Sequence, residues 1–257
     1  MSVLVCFHAH PDDEVFGTGG TMRQASDAGH RVVLVTATDG AAGEFPEGIL
    51  ADGETLTARR RDELAKSAEA LGVHRVVMLG FSDSGMAGTP ENDNPEAFAN
   101  LSVESAAQAL AEILVEEQAD VVTIYDSYGG YGHPDHIQVH HVGKRATEIA
   151  GTTHVYESVM NRDHFRELVK ANAQWDEEDA PNIEKIGVPA DQITTELQVG
   201  EFIEAKRAAM VAHATQVGDF GPFLDMPIDM LRVAFGREWY RRIDGTNSGP
   251  METALPL

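Results

Sequence analysis

Apolar residues fall into short unbroken runs separated by longer stretches of helical period. Val3-Leu4-Val5-Cys6-Phe7 has no alternation, which predicts a strand buried on both faces. Glu14 to Ala28 predicts a helix that stops at Gly29, a residue suited to the left-handed position past a helix end. Arg31 to Thr36 predicts a second buried strand, and Thr38 to Leu56, rich in Gly, Asp and Glu, a surface loop. Thr57 is the expected cap of a helix over Ala58 to Leu71, with Gly72 as its stop. Arg75 to Leu79 predicts a third strand, and Ser82 to Asn100 a Gly, Pro and Asn-rich loop. Ser102 then caps a helix ending near Gln118. Asp120 to Tyr125 predicts a fourth strand and Asp126 to Gly132 a loop. Pro134 suits the first turn of a helix reaching about Ile149, where its missing N–H costs nothing. His154 to Val159 predicts a fifth strand. After Asn161 the pattern weakens: Trp175 to Gln192, acidic with two prolines and a glycine, reads as an inserted loop, and Gly200 to Thr215 as a helix.

Strands alternating with helices predict an α/β fold, a mostly parallel sheet with helices on both faces. Such sheets bind ligands beyond the carboxyl ends of their strands. At 257 residues the expectation is one domain with an elaborated C-terminal part. The composition is globular, with 42% hydrophobic and 24% charged residues. The formal net charge of −23 repels phosphate backbones and anionic lipid heads, so neither nucleic acid nor a membrane surface is an expected partner. A neutral small molecule is tolerated by this field, and an anionic one would need a local basic pocket. Cys6 is the single cysteine, inside the first strand, and reads as a buried thiol. No signal-like N-terminus and no run of ~20 apolar residues is evident, so the expected location is cytoplasmic. A homo-oligomer is compatible with the sequence.

Two clusters carry chemistry. His10-Pro11-Asp12-Asp13-Glu14 follows the first strand directly, and three successive carboxylates repel one another unless a cation sits among them. Taken alone, the run also fits helix capping. Gly129-Gly130-Tyr131-Gly132-His133-Pro134-Asp135-His136 occupies the matching place after the fourth strand. His133 and His136 are three apart and can share a side of the helix start, with Asp135 placed to orient an imidazole. Two such clusters at two strand ends predict one shared site. Two histidines and one carboxylate leave coordination positions open, as catalytic zinc requires.

These residues resemble the PIG-L (LmbE-like) deacetylase family, whose signatures read here as Ala9 to Glu14 and His133 to His136. Within it the chain looks most like the mycothiol-pathway N-acetylglucosaminyl-inositol deacetylase and conjugate amidase. Asp83-Ser84-Gly85-Met86, the Gly-Gly-Tyr-Gly lead-in to His133, Lys206-Arg207 and Ala212 to Gln216 support that. The resemblance covers about the first 160 residues and returns near 206 to 216; 163 to 192 aligns with nothing. It implies a Rossmann-like fold, with residues 1–160 as the metal-binding core and 161–257 as an elaboration of the same domain that walls the substrate pocket. It further implies removal of an acyl group from an N-acylated sugar. His10, Asp13 and His136 would hold Zn²⁺, or Fe²⁺. Asp12 would be the general base. His133, supported by Asp135, would be general acid or oxyanion stabiliser, and Tyr131 a second oxyanion donor. Arg60 and Asp83 match substrate contacts.

Other residues attract plainer readings. Gly17-Thr18-Gly19-Gly20 lacks the last glycine of a dinucleotide fingerprint, because Met22 stands there, and predicts close helix packing instead. His8 shares a strand face with His10 and is expected in the core or behind the site. His140, one turn after His136, is an alternative ligand, and His213 an expected pocket-lining residue. Trp175, Trp239 and the methionines are expected to pack. Rival functions are a non-haem Fe(II) oxygenase, a barrel-type metallohydrolase or phosphoesterase, and a metal- or sugar-binding protein without turnover.

Overall fold

A computed structural model describes residues 1–171, 183–243 and 249–257. Among them the strands are β1 (Val3–His8), β2 (Arg31–Thr38), β3 (Arg75–Phe81), β4 (Val121–Tyr125), β5 (His154–Val159), β6 (Thr195–Gln198) and β7 (Arg237–Arg242). They form one sheet in the order β3-β2-β1-β4-β5-β7-β6. The first five are parallel, with Val3 opposite Arg31 and Leu4 opposite Val121. The last two are antiparallel additions at one edge. The expected mostly parallel, Rossmann-like α/β fold is the one found.

Helices α1 (Glu14–Gly17), α2 (Gly19–Asp27), α3 (Leu56–Ala70), α4 (Val103–Glu117), α5 (Pro134–Ala150), α6 (Arg162–Ala171), α7 (Ile203–Ala212), α8 (Val217–Leu224) and α9 (Ile228–Phe235) cover the sheet. Successive strand residues point to opposite faces. Leu4, Cys6, Val32 and Leu34 therefore pack with Met22, Leu64 and Met210 of α2, α3 and α7. Val5, Phe7, Val33 and Val35 pack with Leu110, Leu114, Val139 and Val142 of α4 and α5. Each such side chain contributes about 1.5–3 kcal/mol on burial.

Caps set several boundaries. Ser102 Oγ accepts from Ser105 N at 3.2 Å, and α4 ends on Gln118 in the left-handed conformation. Pro134 opens α5 as expected. Thr55, not Thr57, caps α3: its Oγ1 accepts from Ala58 N, while Thr57 Oγ1 donates to Asp39. The single helix expected over 14–28 is broken at Thr18. There the hydroxyl donates to Glu14 O at 3.1 Å and pairs with His8 Nε2 at 2.8 Å, so the side chain competes with helical geometry.

The break opens the N-terminus of α2, and an internal carboxylate fills it. Glu238 accepts from Gly20 N and Thr21 N, each at 2.8 Å, and pairs with the fully buried Lys206 at 2.7 Å. A Cβ on Gly20 would stand 2.5 Å from Val199, so close packing is the reason for this glycine. Beyond Asn161, where the sequence pattern weakens, the expected helix over 200–215 is found as α7 with short turns on either side, and α6, β6, β7, α8 and α9 are additional. The expected loop from Trp175 falls partly on residues 172–182, outside the described residues; its remainder holds 3-10 turns at Ile183–Lys185 and Ala190–Gln192. Trp239 packs with Val159, Val188 and Ile193. Among the described residues, no helix is long and apolar enough to cross a membrane.

Candidate active site

Strand order reverses between β1 and β4, so the segments leaving their carboxyl ends open side by side onto one crevice. The turn after β1 is pinned to β2, because Ala9 O accepts from Thr38 N at 2.9 Å. It folds back on itself as Asp13 Oδ2 accepts from His10 N at 2.7 Å. His10 Nδ1 then lies 3.2 Å from Asp13 Oδ2, and His136 Nε2 lies 3.2 Å from Asp13 Oδ1. Ligand atoms of these three residues fall within 4.8 Å of one another. The two motifs, more than a hundred residues apart, meet.

Hydrogen bonds select which nitrogen each ring offers. His136 Nδ1 donates to Gly129 O at 3.2 Å, which leaves the Nε2 lone pair free. That Nε2 is buried without a hydrogen-bond partner. Gly129 is required for this approach: its φ is +63°, and a Cβ there would stand 2.4 Å from His136 Cβ. His10 Nε2 donates to Asp135 Oδ2 at 3.2 Å, with Asp83 Oδ1 at 3.6 Å, and turns Nδ1 to Asp13 Oδ2. Two imidazole lone pairs and a carboxylate around one point fit a divalent cation with open positions. Burial disfavours a charge on His10, yet hydrogen bonds to Asp13, Asp135 and Asp83 outweigh it and hold its pKa well above the usual value. Burial pushes Asp13 up, but His136 and His10 pull it well below the carboxylate range.

Asp135 supports a different imidazole from the one expected. Its carboxylate accepts from Ser84 Oγ at 2.6 Å and Ser84 N at 3.0 Å besides His10, not from His133. The reason is local: Asp135 N donates to His133 Nδ1 at 3.1 Å in the helix cap, and the side chain leaves towards His10. His10, Asp83, His133 and Asp135 also lie close enough to count as a ligand group. Asp135 is already satisfied by Ser84, so carboxylate support of His10 describes that group better than a second ion.

Asp12 stands apart from the group of His10, Asp13 and His136. Its φ is +115°, a conformation that costs a non-glycine residue about 1–3 kcal/mol. Arg60 Nη2 donates to Asp12 Oδ2 at 3.0 Å. Burial pushes the Asp12 carboxyl up to about 7, with Arg60 opposing and Asp13 adding to the shift. Glu14, the third acid of the run, turns inward to His213 at 2.6 Å and Ser67 at 2.5 Å. The three successive carboxylates thus diverge, which resolves their expected repulsion.

A cavity of about 690 Å³ opens over Asp12 and Asp13, lined also by His133, Tyr131, Asp83 and Phe220. His133 accepts the cap hydrogen bond on Nδ1, so its proton sits on Nε2. Burial and the neighbouring His10 and His136 push its pKa down to about 4, and it is neutral at pH 7. Tyr131 is half exposed, its ring 5.0 Å from that of His136. Asp83 accepts from Ala42 N and Gly85 N at 3.1 and 2.9 Å.

Arg60 and His213, both expected near the substrate, differ in placement: Arg60 lines the cavity and His213 does not. Arg60 reaches the cavity wall but is only 2% exposed, and it donates to Gly40 O, Pro11 O and Asp12. His213 is buried against Glu14 instead of lining the pocket. His8 spends both nitrogens, on Tyr125 at 2.7 Å and Thr18 at 2.8 Å, and stays in the core. His140 faces Glu157 and Tyr125 O and is not part of the His10, Asp13 and His136 group. Sequence reading missed the roles of Ser84, Ser67 and Glu14. Ser84 lies inside the Asp83 to Met86 stretch, but nothing local marks a serine as the holder of a distant aspartate.

Comparison with known proteins gives the same direction. Residues 5–147 match the PIG-L family model, described as GlcNAc-PI de-N-acetylase. A 1D-myo-inositol 2-acetamido-2-deoxy-alpha-D-glucopyranoside deacetylase of Acidothermus cellulolyticus is 40% identical, over 95% of this chain and 89% of the relative. A protein of the same name from Thermomonospora curvata is 38% identical, over 94% and 90%. The solved structure of N,N'-diacetylchitobiose deacetylase from Pyrococcus horikoshii superposes with a TM-score of 0.62 at 20% identity, over 94% of this chain and 84% of that one, which speaks to the fold. On the family match and these relatives together, the chain belongs to the PIG-L family of GlcNAc-PI de-N-acetylases.

Proposed function

We propose that the chain is a metal-dependent N-deacetylase that hydrolyses the acetyl amide of an N-acetylglucosaminide carried on inositol, the substrate its relatives' names describe. The observation that supports this most is the convergence of His10, Asp13 and His136 beside Asp12, with His10, Asp12 and Asp13 lining the cavity. Zn²⁺ is the proposed cation, with Fe²⁺ accepted by the same ligand set. Bound there, it supplies Lewis-acid polarisation of an amide carbonyl and a water whose pKa is lowered to about 7.

The protein's own groups do the rest. Asp12, poised near neutrality, accepts a proton from the attacking water and returns it to the departing amine. His133, neutral with its proton on Nε2, donates to the carbonyl oxygen as that atom gains charge, and Tyr131 is the second donor. Asp135 and Ser84 keep His10 in its ligating tautomer. Asp83 accepts from a substrate hydroxyl. Arg60 acts on Asp12 more than on substrate. Residues 1–160 carry the metal site, while 161–257 elaborate the same domain and lend Gln216, Phe220 and Phe223 to the wall. Glu44, Asp83 and Glu91, which also line the cavity, favour a neutral glycoside over a phosphorylated one.

Asp12→Asn is the direct test. It keeps one zinc per chain and lowers kcat for acetate release by about 10²–10⁴-fold. A wild-type rate with metal bound would remove Asp12 from the mechanism.

A further inference from the structure

Asp12 sits between His10 and Asp13 with φ at +115°, a backbone state an aspartate does not choose unaided. If it relaxed to negative φ, the carboxylate would swing away from its present place. Its N–H is held by Glu14 Oε2 at 2.9 Å. Glu14 is fully buried, and its other oxygen accepts from Ser67 Oγ on α3 and from His213 Nε2 just past α7. His213, 199 positions away in sequence, is itself backed by the ring of Phe220 at 6.0 Å. A buried carboxylate is tolerable only with donors of this kind. Helix capping does not account for them: α1 has four residues, and its cap makes no side-chain hydrogen bond.

We propose that Glu14, locked in place by His213 and Ser67, is a positioning residue that holds the left-handed turn at Asp12 and so aims the general base. The proposal rests on the reading of Asp12 as that base. Glu14 touches neither the cavity nor the ligand atoms. It acts on the rate through one peptide N–H, with α3 and the segment after α7 as its fixed supports.

The test uses the full chain loaded with zinc. Glu14→Leu and Glu14→Gln are each made in the wild-type and in the Asp12→Asn backgrounds. kcat and KM for acetate release, zinc per chain and cooperative melting are measured. Glu14→Leu is expected to lower kcat about 10²-fold, the cost of a misplaced reacting group, with KM and zinc content unchanged. Glu14→Gln keeps an oxygen for the Asp12 N–H and restores most of kcat. In the Asp12→Asn background Glu14→Leu costs nothing further, because both changes act through one group. Should Glu14→Leu fail to melt cooperatively, His213→Phe fills the same space and carries the same comparison. If Asp12→Asn itself keeps the wild-type rate, the base reading falls and takes this proposal with it. If Asp12→Asn shows the expected loss of about 10²–10⁴-fold, the positioning proposal alone is overturned by any of three results. These are unchanged kcat in Glu14→Leu, an equal loss in both backgrounds, or loss of zinc along with activity.

Discussion

His10 and His136 turn different nitrogens to the same point, Nδ1 from one and Nε2 from the other, because Asp135 and the Gly129 carbonyl occupy the remaining positions. A ligand imidazole bound this way is fixed in tautomer and made more basic. Asp135→Asn should therefore weaken zinc affinity about 10–100-fold while leaving the fold intact, as measured by competition with a chromophoric chelator. Unchanged affinity would mean that Asp135 serves some other group. The cluster of His10, Asp13 and His136 was legible in the sequence because each motif packs its chemistry into a few adjacent positions. The partner of Asp135 was not, since that contact spans 125 positions and depends on Ser84 arriving from a third loop. Arg60 and His213 show the same limit: their residue types suggest substrate contact, and only their burial against Asp12 and Glu14 reveals a supporting place.

Among the elements, α5 carries His133 and His136 at its start and is tied at mid-length to the sheet. His140 Nδ1 lies 3.3 Å from Glu157 Oε1 on β5, and Arg241 of β7 meets the same carboxylate at 2.5 Å. The Glu157 hydrogen bond raises the His140 pKa above 6.5, with burial opposing. Burial raises Glu157, but His140 and Arg241 pull it below 4.5. His140 therefore adds stability that is full below pH 6.5 and lost as pH rises through its raised pKa, while Glu157 adds stability present above pH 4.5 and lost on acidification. The lead of wild type over His140→Gln in Tm should be widest between these values and shrink at higher pH. A lead that does not vary with pH would contradict the pairing. β1, β2 and β4 were readable because buried strands are continuous apolar runs, and β3 keeps an apolar run at the sheet edge although none of its residues is fully buried. β7, Arg-Glu-Trp-Tyr-Arg-Arg, was not, because its polar residues are satisfied by partners invisible locally: Glu238 by Lys206, Arg241 by Glu157 and Arg242 by Glu252.

At the scale of the whole molecule, the reversal of strand order between β1 and β4 is what makes one site from two motifs. Period and spacing predicted the parallel order and hence the crevice; they could not place the C-terminal third, whose helices and antiparallel strands close one wall around Phe220 and Phe223. A net charge of −23 and a carboxylate-lined cavity suit a neutral polyhydroxylated substrate and a bound cation. The central claim is that His10, Asp13 and His136 grip one metal ion on which amide hydrolysis depends. Chelator-stripped protein, titrated back with zinc while acetate release from an N-acetylglucosaminyl-inositol is followed, tests it most directly. The account predicts no turnover at the start and a linear rise that saturates at one equivalent per chain. Full turnover in the stripped protein, or a bound equivalent that releases no acetate, would contradict it.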